Sequence, residues 1–206
     1  MAEAPILIAT SNRGKLREIA AILADLPVRL TGLDDYGRLP PPVEDADTFE
    51  ENAAKKALHY ARLTGLWALA DDSGLVVDVL GGAPGVLSAR YAGRSGDDHA
   101  NNAKLIQALA GVPLEKRTAR FRCAMALARD EQVVASAAGS VDGLIVDEPA
   151  GENGFGYDPH FFVPAYGMTT AEMSPDLKNR ISHRGHALRF MRGHIERLLS
   201  QRLSRA

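Results

Sequence analysis

The feature that most constrains this sequence is an apolar segment that leads through a polar turn into a helix. The apolar run is Pro5-Ile6-Leu7-Ile8, and it is followed by ATSNRGKLREIAAIL at residues 9–23. The run predicts a buried strand over residues 6–9. Apolar side chains then recur at helical spacing and predict a helix over residues 12–24; they are Leu16, Ile19, Ile22 and Leu23. A strand, a tight turn and a helix in this order indicate an α/β fold.

The turn between this strand and helix is a candidate phosphate-binding site. Gly14-Lys15 lies where a phosphate-binding loop would end, but the Walker pattern fails because Ala9 and Leu16 replace its first glycine and its Ser or Thr. A lysine in the first helical turn is unfavourable beside the positive end of the helix dipole, and a bound anion would reverse that penalty. Free backbone amides would then bind the anion together with Lys15. The alternative is an ordinary helix capped by Asn12, with a solvated lysine.

Composition and charge exclude several classes of protein. The net charge is −2 and the pI about 6.3, so no bulk positive field exists to hold DNA, RNA or an anionic membrane. Cys123 is the single cysteine, so an intrachain disulfide cannot form and a cysteine metal site is not expected. The start, MAEAPILIAT, carries Glu3 and no basic region, so no signal peptide is expected. No apolar run approaches the roughly 20 residues that span a bilayer, and we expect a cytoplasmic protein.

The remaining chain alternates helical and strand patterns. Consecutive prolines predict a loop over residues 37–47, and Thr48 and Glu51 have the spacing of a capping box at a helix start. The other predicted elements are helices over 48–64 and 97–110, a short strand over 67–70, strand-like pieces within 75–90, an antiparallel hairpin of strands over 120–127 and 132–146, and a C-terminal helix with Ser182 as N-cap. These elements predict an α/β fold with a mixed sheet.

Two acidic segments are candidates for chemistry. ADDSGL, residues 70–75, places two adjacent carboxylates at the predicted end of a strand, where α/β proteins carry their sites. Carboxylate oxygens suit Mg²⁺, and the alternative is a plain Asp-Ser-Gly turn. TFEENAAKKA, residues 48–57, adds acids and lysines; on its own it reads as a structural helix with a Glu51–Lys55 surface pair.

Two further segments are candidates for binding a base or an anion. GFGYDP, residues 154–159, combines glycines, aromatic rings that could stack on a flat ligand, and an acid. The alternative is a hairpin loop whose rings enter the core. SPDLKNRISHRG, residues 174–185, concentrates basic side chains that suit an anion or a carbonyl oxygen, and the alternative is a solvated basic face.

Taken in order, the motifs resemble those of inosine triphosphate pyrophosphatases, also called non-standard purine NTP pyrophosphatases. The resemblance runs from Ile6 to the final helix and rests on TSNRGK, TFEENAAKKA, ADDSGL, GAPGVLSARYAG, GFGYDPHF and EMSPDLKNRISHRGHA. It departs from the family at Leu87, where an aromatic residue is common, and at His160, where an apolar residue is common. His160 could alter the edge of the base pocket.

The resemblance implies a fold and an activity. The fold would be a single pyrophosphatase domain over residues 1–206, with two intimate lobes around a long mixed β-sheet, flanking helices and an active-site cleft between the lobes. The protein would be a homodimer that needs Mg²⁺ and hydrolyses ITP, dITP and XTP to the monophosphate and pyrophosphate. This activity clears deaminated purines before they enter nucleic acid.

The resemblance also implies residue roles. Asp72 would act as catalytic base and metal ligand, Glu51 as second metal ligand, and Lys56 would neutralise charge on a phosphate oxygen; the role of Asp71 stays less defined. The triphosphate would be held by Thr10, Ser11, Asn12, Arg13, Gly14 and Lys15. Phe155 would stack on the base, while His183 and Arg184 would read its 6-carbonyl oxygen. The remaining substrate contacts would be Ser73, Gly156, Tyr157, Asp158 and Lys178.

Two rival hypotheses about the function remain open. A house-cleaning pyrophosphatase for modified pyrimidine triphosphates would use similar phosphate chemistry, but the SHRG and FGYDP motifs disfavour it. A non-enzymatic nucleotide-binding module would explain the turn and the aromatic loop. It would leave Glu51 and Asp72 without a purpose, because acids weaken metal-free phosphate binding.

Overall fold

The computed structural model describes residues 4–203, so Glu3 and the expectation of a missing signal peptide lie outside the described residues. The described helices are α1 (Arg13–Leu23), α2 (Phe49–Thr64), α3 (Asp98–Ala108), α4 (Pro175–Ile181) and α5 (His183–Leu203). The described strands are β1 (Ala4–Ile8), β2 (Val28–Gly32), β3 (Trp67–Val77), β4 (Thr118–Arg129), β5 (Gln132–Ile145), β6 (Phe161–Val163) and β7 (Met168–Thr169).

The strands form one mixed sheet, as the sequence predicted. Their order is β2-β1-β3-β4-β5-β6-β7. β1 pairs in parallel with β2 and β3, whereas β6 pairs antiparallel with β5 and β7. β4 and β5 are neighbours joined by only two residues, which requires the predicted antiparallel hairpin because parallel neighbours need a long crossover.

Three of the predicted helix starts are confirmed, and each depends on contacts between residues close in sequence. The Asn12 side chain caps α1, the Thr48 hydroxyl accepts from the Glu51 amide at the start of α2, and Asp97 caps α3. The predicted amphipathic C-terminal helix is α5, which buries Leu188, Met191 and Ile195 completely. Helix α4 was not predicted, although Ser174-Pro175 is a strong start signal: Ser174 caps it and Pro175 occupies its first turn.

The sequence interpretation was wrong about residues 67–90. A short strand ending before the acidic motif was expected, but β3 continues through Asp71, Asp72 and Ser73 to Val77. The strand-like pieces expected afterwards are mainly two 3₁₀ helices, Asp78–Leu80 and Gly85–Arg90. Gly74 permits the strand to continue, because a Cβ there would collide with the Ser88 hydroxyl and the Gly85 carbonyl oxygen.

The described chain divides into two compact units, each with its own apolar core. Unit 1 comprises residues 4–72, 123–139 and 184–203, and unit 2 comprises Ser73–Arg122 and Ser140–His183. The core of unit 1 includes Ile6, Ile19, Leu23, Trp67, Leu127 and Met191. The core of unit 2 includes Leu75, Leu105, Phe121, Ile145 and Phe161. None of the helices described within residues 4–203 is long and apolar enough to cross a membrane.

Replacing Leu23 with alanine tests the contribution of the unit 1 core. Leu23 is completely buried, so Leu23→Ala should lower the free energy of unfolding by about 2–5 kcal/mol through lost burial and a residual cavity. The single tryptophan, Trp67, lies in the same core, so its fluorescence during urea unfolding reports the change. The matched control is Leu63→Ala, since Leu63 is 45% exposed, and its effect should stay below about 1 kcal/mol. Equal effects would contradict the packing described here.

Candidate functional site

Parallel pairing of β1 with β3 brings the polar turn to the acidic motif within unit 1. Ile8 is in register with Leu69, and the Ala9 amide donates to the Leu69 carbonyl oxygen at 2.8 Å. Two residues further along, the first strand enters the turn at Thr10 and the second reaches Asp71. This pairing explains why Lys15, in the first turn of α1, forms an ion pair with Asp71 at 3.0 Å.

Three backbone amides of the turn, in the segment predicted to bind phosphate, have hydrogen-bond acceptors within the protein. The Asn12 Oδ1 atom accepts from the Gly14 amide at 2.8 Å and from the Lys15 amide at 3.0 Å. The Asn12 amide in turn donates to the Thr10 hydroxyl at 3.2 Å. The cap therefore occupies two of the orphan amides that would otherwise meet an anion. The ammonium of Lys15 and the exposed side chains of Ser11 and Arg13 carry the polar surface of the turn.

Asp71 is the centre of a buried charge cluster in unit 1. Its side chain is fully buried, and besides Lys15 its carboxylate contacts the Arg184 guanidinium at 3.3 Å. The Lys56 ammonium donates to its backbone carbonyl oxygen at 3.1 Å. Two more acids complete the set, which we call the Asp71 cluster: Glu18 pairs with Arg184, and Glu44 pairs with Lys56 at 2.8 Å.

The surroundings of Asp71 and of the adjacent Asp72 shift the pKa values of these two aspartates in opposite directions. Burial alone would raise the pKa of Asp71, but Lys15, Arg184 and Lys56 outweigh it and hold that pKa well below the usual value. Burial raises the pKa of Asp72, and Lys56 and Lys15 offset this only in part. Asp71 is thus a firmly ionised structural charge, whereas Asp72 has the raised proton affinity of a group that can accept a proton.

The acid that reaches Asp72 and Lys56 is Glu44 and not Glu51. Glu44 interacts electrostatically with Asp72 as well as pairing with Lys56. Glu51 is exposed on α2 and acts on Lys55. It precedes Lys56 by five positions, a spacing that does not match a helical turn, so the two side chains lie on different faces of the helix. The structure thus brings Glu44, and not Glu51, close to Lys56 and Asp72, while the metal-ligand role expected for Glu51 stays a prediction.

Glu44 and Asp72 have the chemistry to hold a magnesium ion. No group of three or more His, Cys, Asp or Glu side chains arranged for a metal occurs among residues 4–203. Mg²⁺ does not need such a group, because it retains several waters and is typically held by one or two carboxylates together with substrate phosphates. The two carboxylates fit that requirement.

In unit 2, a second buried aspartate organises the aromatic loop, residues 151–159. The Asp158 carboxylate accepts from the Phe155 amide at 2.8 Å, the Thr170 hydroxyl at 2.8 Å and the Lys178 ammonium at 2.6 Å. Lys178 also lies 4.9 Å from the centre of the Phe155 ring, a cation–π distance. Phe155 itself is half-buried. The loop is consequently a fixed structure that presents part of one aromatic ring.

The other predicted base-side residues have varied surroundings. The Tyr157 hydroxyl donates to the Ser88 carbonyl oxygen at 2.8 Å, so its side chain anchors the loop in the core. His183 is buried, with its ring stacked 4.9 Å from that of Phe121. Ser73 is half-buried in β3. His160, a departure from the family pattern, is buried and contacts the Val146 carbonyl oxygen at 2.9 Å.

Arg184 belongs to the Asp71 cluster of unit 1, although the sequence interpretation grouped it with His183. Its two acidic partners, Asp71 and Glu18, lie on β3 and on α1. Glu18 was missed, although it follows Lys15 by three residues and so shares its helix face. Glu44 was missed because it lies in an irregular loop, where no repeating pattern of side chains indicates which residues face the site.

Comparison with known proteins gives the family. A model of the Ham1 family matches residues 6–194. The chain is 54% identical over 190 residues to the dITP/XTP pyrophosphatase of Geobacter sulfurreducens, covering 92% of this chain and 96% of that protein. It is 50% identical over 184 residues to the dITP/XTP pyrophosphatase of Desulforamulus reducens, covering 89% and 92%.

Solved structures share the fold. A HAM1 protein from Coxiella burnetii superposes with a TM-score of 0.81 at 42% identity, covering 98% of this chain and all of that one. The Ham1 protein of Staphylococcus aureus gives 0.82 at 38% identity, covering 93% and 98%. The fold is therefore that of a mixed-sheet α/β protein with flanking helices. The chain belongs to the Ham1 family, and the resemblance seen in its motifs is confirmed.

Replacing Asp71 with asparagine tests the charge balance of the cluster. Asp71→Asn should lower the free energy of unfolding at pH 7 by about 3 kcal/mol, because the buried cations lose their counter-charge. Since the folded-state pKa of Asp71 is depressed, its contribution is present above the unfolded pKa, near 4, and is lost as the pH falls towards the folded value. The difference between wild type and variant should thus shrink below about pH 4.

Urea unfolding between pH 3 and pH 8 measures this dependence. The control is Asp45→Asn, which removes an exposed carboxylate that pairs with Lys55 on the surface and should change little. A difference for Asp71→Asn that does not vary with pH would contradict the assignment.

Proposed function

We propose that this protein hydrolyses non-standard purine nucleoside triphosphates, namely ITP, dITP and XTP, at the α-phosphorus to the monophosphate and pyrophosphate. Its role would be to remove deaminated purines from the nucleotide pool. The observation that carries the proposal is the Asp71 cluster, which gathers lysines beside the acids Glu44 and Asp72. The two relatives described above, which are about half identical to this chain, are named dITP/XTP pyrophosphatases.

The charges of the cluster suit a triphosphate with a metal ion. A triphosphate brings about four negative charges, so carboxylates beside it are intelligible only with cations between. Lys15 would bind phosphate oxygens at the turn, together with the side chains of Thr10, Ser11 and Arg13. Lys56, held by Glu44 and the Asp71 carbonyl oxygen, is fixed in position to offset charge on a phosphate oxygen in the transition state.

We propose Mg²⁺ as the cofactor, with Glu44 and Asp72 as its protein ligands. When bound, the ion would supply charge neutralisation on the phosphate oxygens. Asp72 would orient the attacking water and accept its proton, a role that its raised pKa favours over that of an ordinary surface aspartate. Attack at the α-phosphorus then expels pyrophosphate.

Discrimination between bases would depend on hydrogen-bond donors that meet the 6-carbonyl oxygen of hypoxanthine and xanthine. Adenine presents an amine there, so a donor from His183 or Arg184 would stay unpaired, and two such mismatches would give a preference of about 100-fold. Phe155 would stack on the base, with Ser73, Gly156, Tyr157, Asp158 and Lys178 forming its surroundings. The pairs of Arg184 with Asp71 and Glu18 give it a second role, which is to hold the cluster.

Assembly and location are proposed on narrower grounds. A homodimer is proposed from the family resemblance. A cytoplasmic location, without a nucleic-acid or membrane partner, is proposed from the composition and the near-neutral net charge of −2.

Product analysis by phosphorus NMR tests the proposal. With Mg²⁺, the protein should convert ITP and XTP to monophosphate and pyrophosphate, while ATP, GTP and dTTP react far more slowly. Orthophosphate and diphosphate as products would move the attack to the γ-phosphorus and refute the mechanism. Preference for dTTP would support the pyrimidine rival, and binding of ITP without any product would support the binding module.

A pair of isosteric substitutions tests the acid assignment. Glu44→Gln and Asp72→Asn should each lower kcat at least about 100-fold, because each removes a carboxylate that faces the reacting phosphates. Glu51→Gln is the matched control on the exposed side of α2 and should keep near-normal turnover. Titration of Mg²⁺ in each assay separates weaker metal binding from a loss of the base. If Glu51→Gln were the damaging change and Glu44→Gln harmless, the sequence prediction of Glu51 would be right and our proposal of Glu44 wrong.

A further inference from the structure

Helix α3 contacts the aromatic loop of unit 2 through two side chains one turn apart. The Asp98 carboxylate accepts a hydrogen bond from the Gly156 amide at 2.7 Å. The Asn102 side-chain amide donates to the Gly156 carbonyl oxygen at 2.9 Å. Residues four apart lie on one helix face, so both polar groups of a single loop residue are held by one helix.

The hydrogen bonds to Gly156 fix the loop directly beside Phe155. The φ of Gly156 is +63°, in the left-handed region that favours glycine, and this residue directly follows Phe155. A glycine backbone has no side chain to fix it by packing, so hydrogen bonds must define its position. The backbone amide of Phe155 itself donates to the Asp158 carboxylate. The ring of Phe155 is thus placed by two anchors, and one of them is α3.

Helix α3 is itself firmly attached within unit 2. Leu105 and Leu109 are completely buried at its C-terminal end. Asn101 donates to the Ala89 carbonyl oxygen at 3.3 Å and accepts from the Ala92 amide at 2.7 Å. The helix can therefore act as a fixed reference for the loop.

We propose that Asp98 and Asn102 are positioning residues for base recognition, acting through Gly156 on the Phe155 ring. They would not touch the substrate. The inference rests on the proposed function, because it assumes that Phe155 stacks on the base. Helix α3 lies outside the acidic and basic motifs of the sequence. The proposal gives it a role in binding the base and no role in binding the phosphates.

The two positions offer isosteric substitutions that separate hydrogen bonding from packing. Asp98→Asn keeps an acceptor oxygen for the Gly156 amide, whereas Asp98→Ala removes it. Asn102→Asp keeps the size of the side chain but replaces the donor by a carboxylate that faces a carbonyl oxygen. Asp97→Ala is the matched control: Asp97 accepts from the Ala100 amide, so the change removes the cap of α3 without touching Gly156.

Steady-state kinetics with ITP form the first measurement. Asp98→Ala and Asn102→Asp should each raise KM about fivefold with kcat within about twofold of wild type, because a hydrogen bond that aids ground-state and transition-state binding alike is lost. Asp98→Asn should restore KM most of the way. Inhibition by inorganic tripolyphosphate, which has no base, should stay unchanged in all variants. Unchanged KM in both damaging variants, or an equal loss of tripolyphosphate binding, would overturn the proposal.

A double-mutant cycle tests whether the effect passes through Phe155. In a Phe155→Leu background, Asp98→Ala should change KM by far less than it does in the wild type, because the ring it positions is gone. Full additivity of the two changes would overturn the proposal.

Hydrogen exchange provides a readout that does not need activity. Amides of residues 153–158 should exchange faster in Asp98→Ala than in wild type, and they should keep the wild-type rate in Asp97→Ala. If wild-type protein failed to hydrolyse ITP, the proposed function would fail, and exchange together with inosine monophosphate binding would then decide. Faster exchange with weaker binding in Asp98→Ala would support the positioning role, and unchanged values would overturn it.

Discussion

The buried carboxylate of Asp71 is the interaction on which the arrangement of unit 1 depends. An isolated charge in the interior would be too costly to keep, so it must be matched by cations that are themselves desolvated. Lys15 and Arg184 meet it directly, and they come from α1 and α5, which are far apart in sequence. One aspartate thus ties the turn after β1, the centre of β3 and the start of α5 to each other.

Unit 2 follows the same physical rule around Asp158. That side chain is 2% exposed and accepts from a backbone amide, a hydroxyl and an ammonium group, so its charge is fully used inside the protein. In both units a buried aspartate holds its surroundings, and a residue to which we propose a direct role lies close to it in sequence: Asp72 follows Asp71, and Phe155 precedes Asp158 by three positions. Substituting Asp71 or Asp158 should therefore disturb the local structure of its unit. Substituting Asp72 or Phe155 should impair only the role that we propose for that residue.

The sequence predicted those features that neighbouring residues determine. Asn12 and Thr48 could be read as caps because a cap is a contact between residues two or three apart. The acid that meets Lys56 could not be read, because Glu44 comes from an irregular loop and its choice over Glu51 depends on which way α2 faces. The full length of β3 was hidden for a similar reason: two adjacent aspartates read as a turn unless their distant cationic partners are known.

The capped turn of α1 has a consequence for the forces that hold a substrate. Because Asn12 already satisfies the amides of Gly14 and Lys15, the turn keeps its conformation without an anion, and little ordering has to accompany binding. Under the proposed function, what the turn offers to a phosphate is mostly the charge of side chains and not backbone dipoles. Attraction of that kind is screened by dissolved ions over about 8–10 Å at physiological ionic strength. The nucleotide binding that we propose for this turn should therefore respond to salt far more than the structure of the turn itself does.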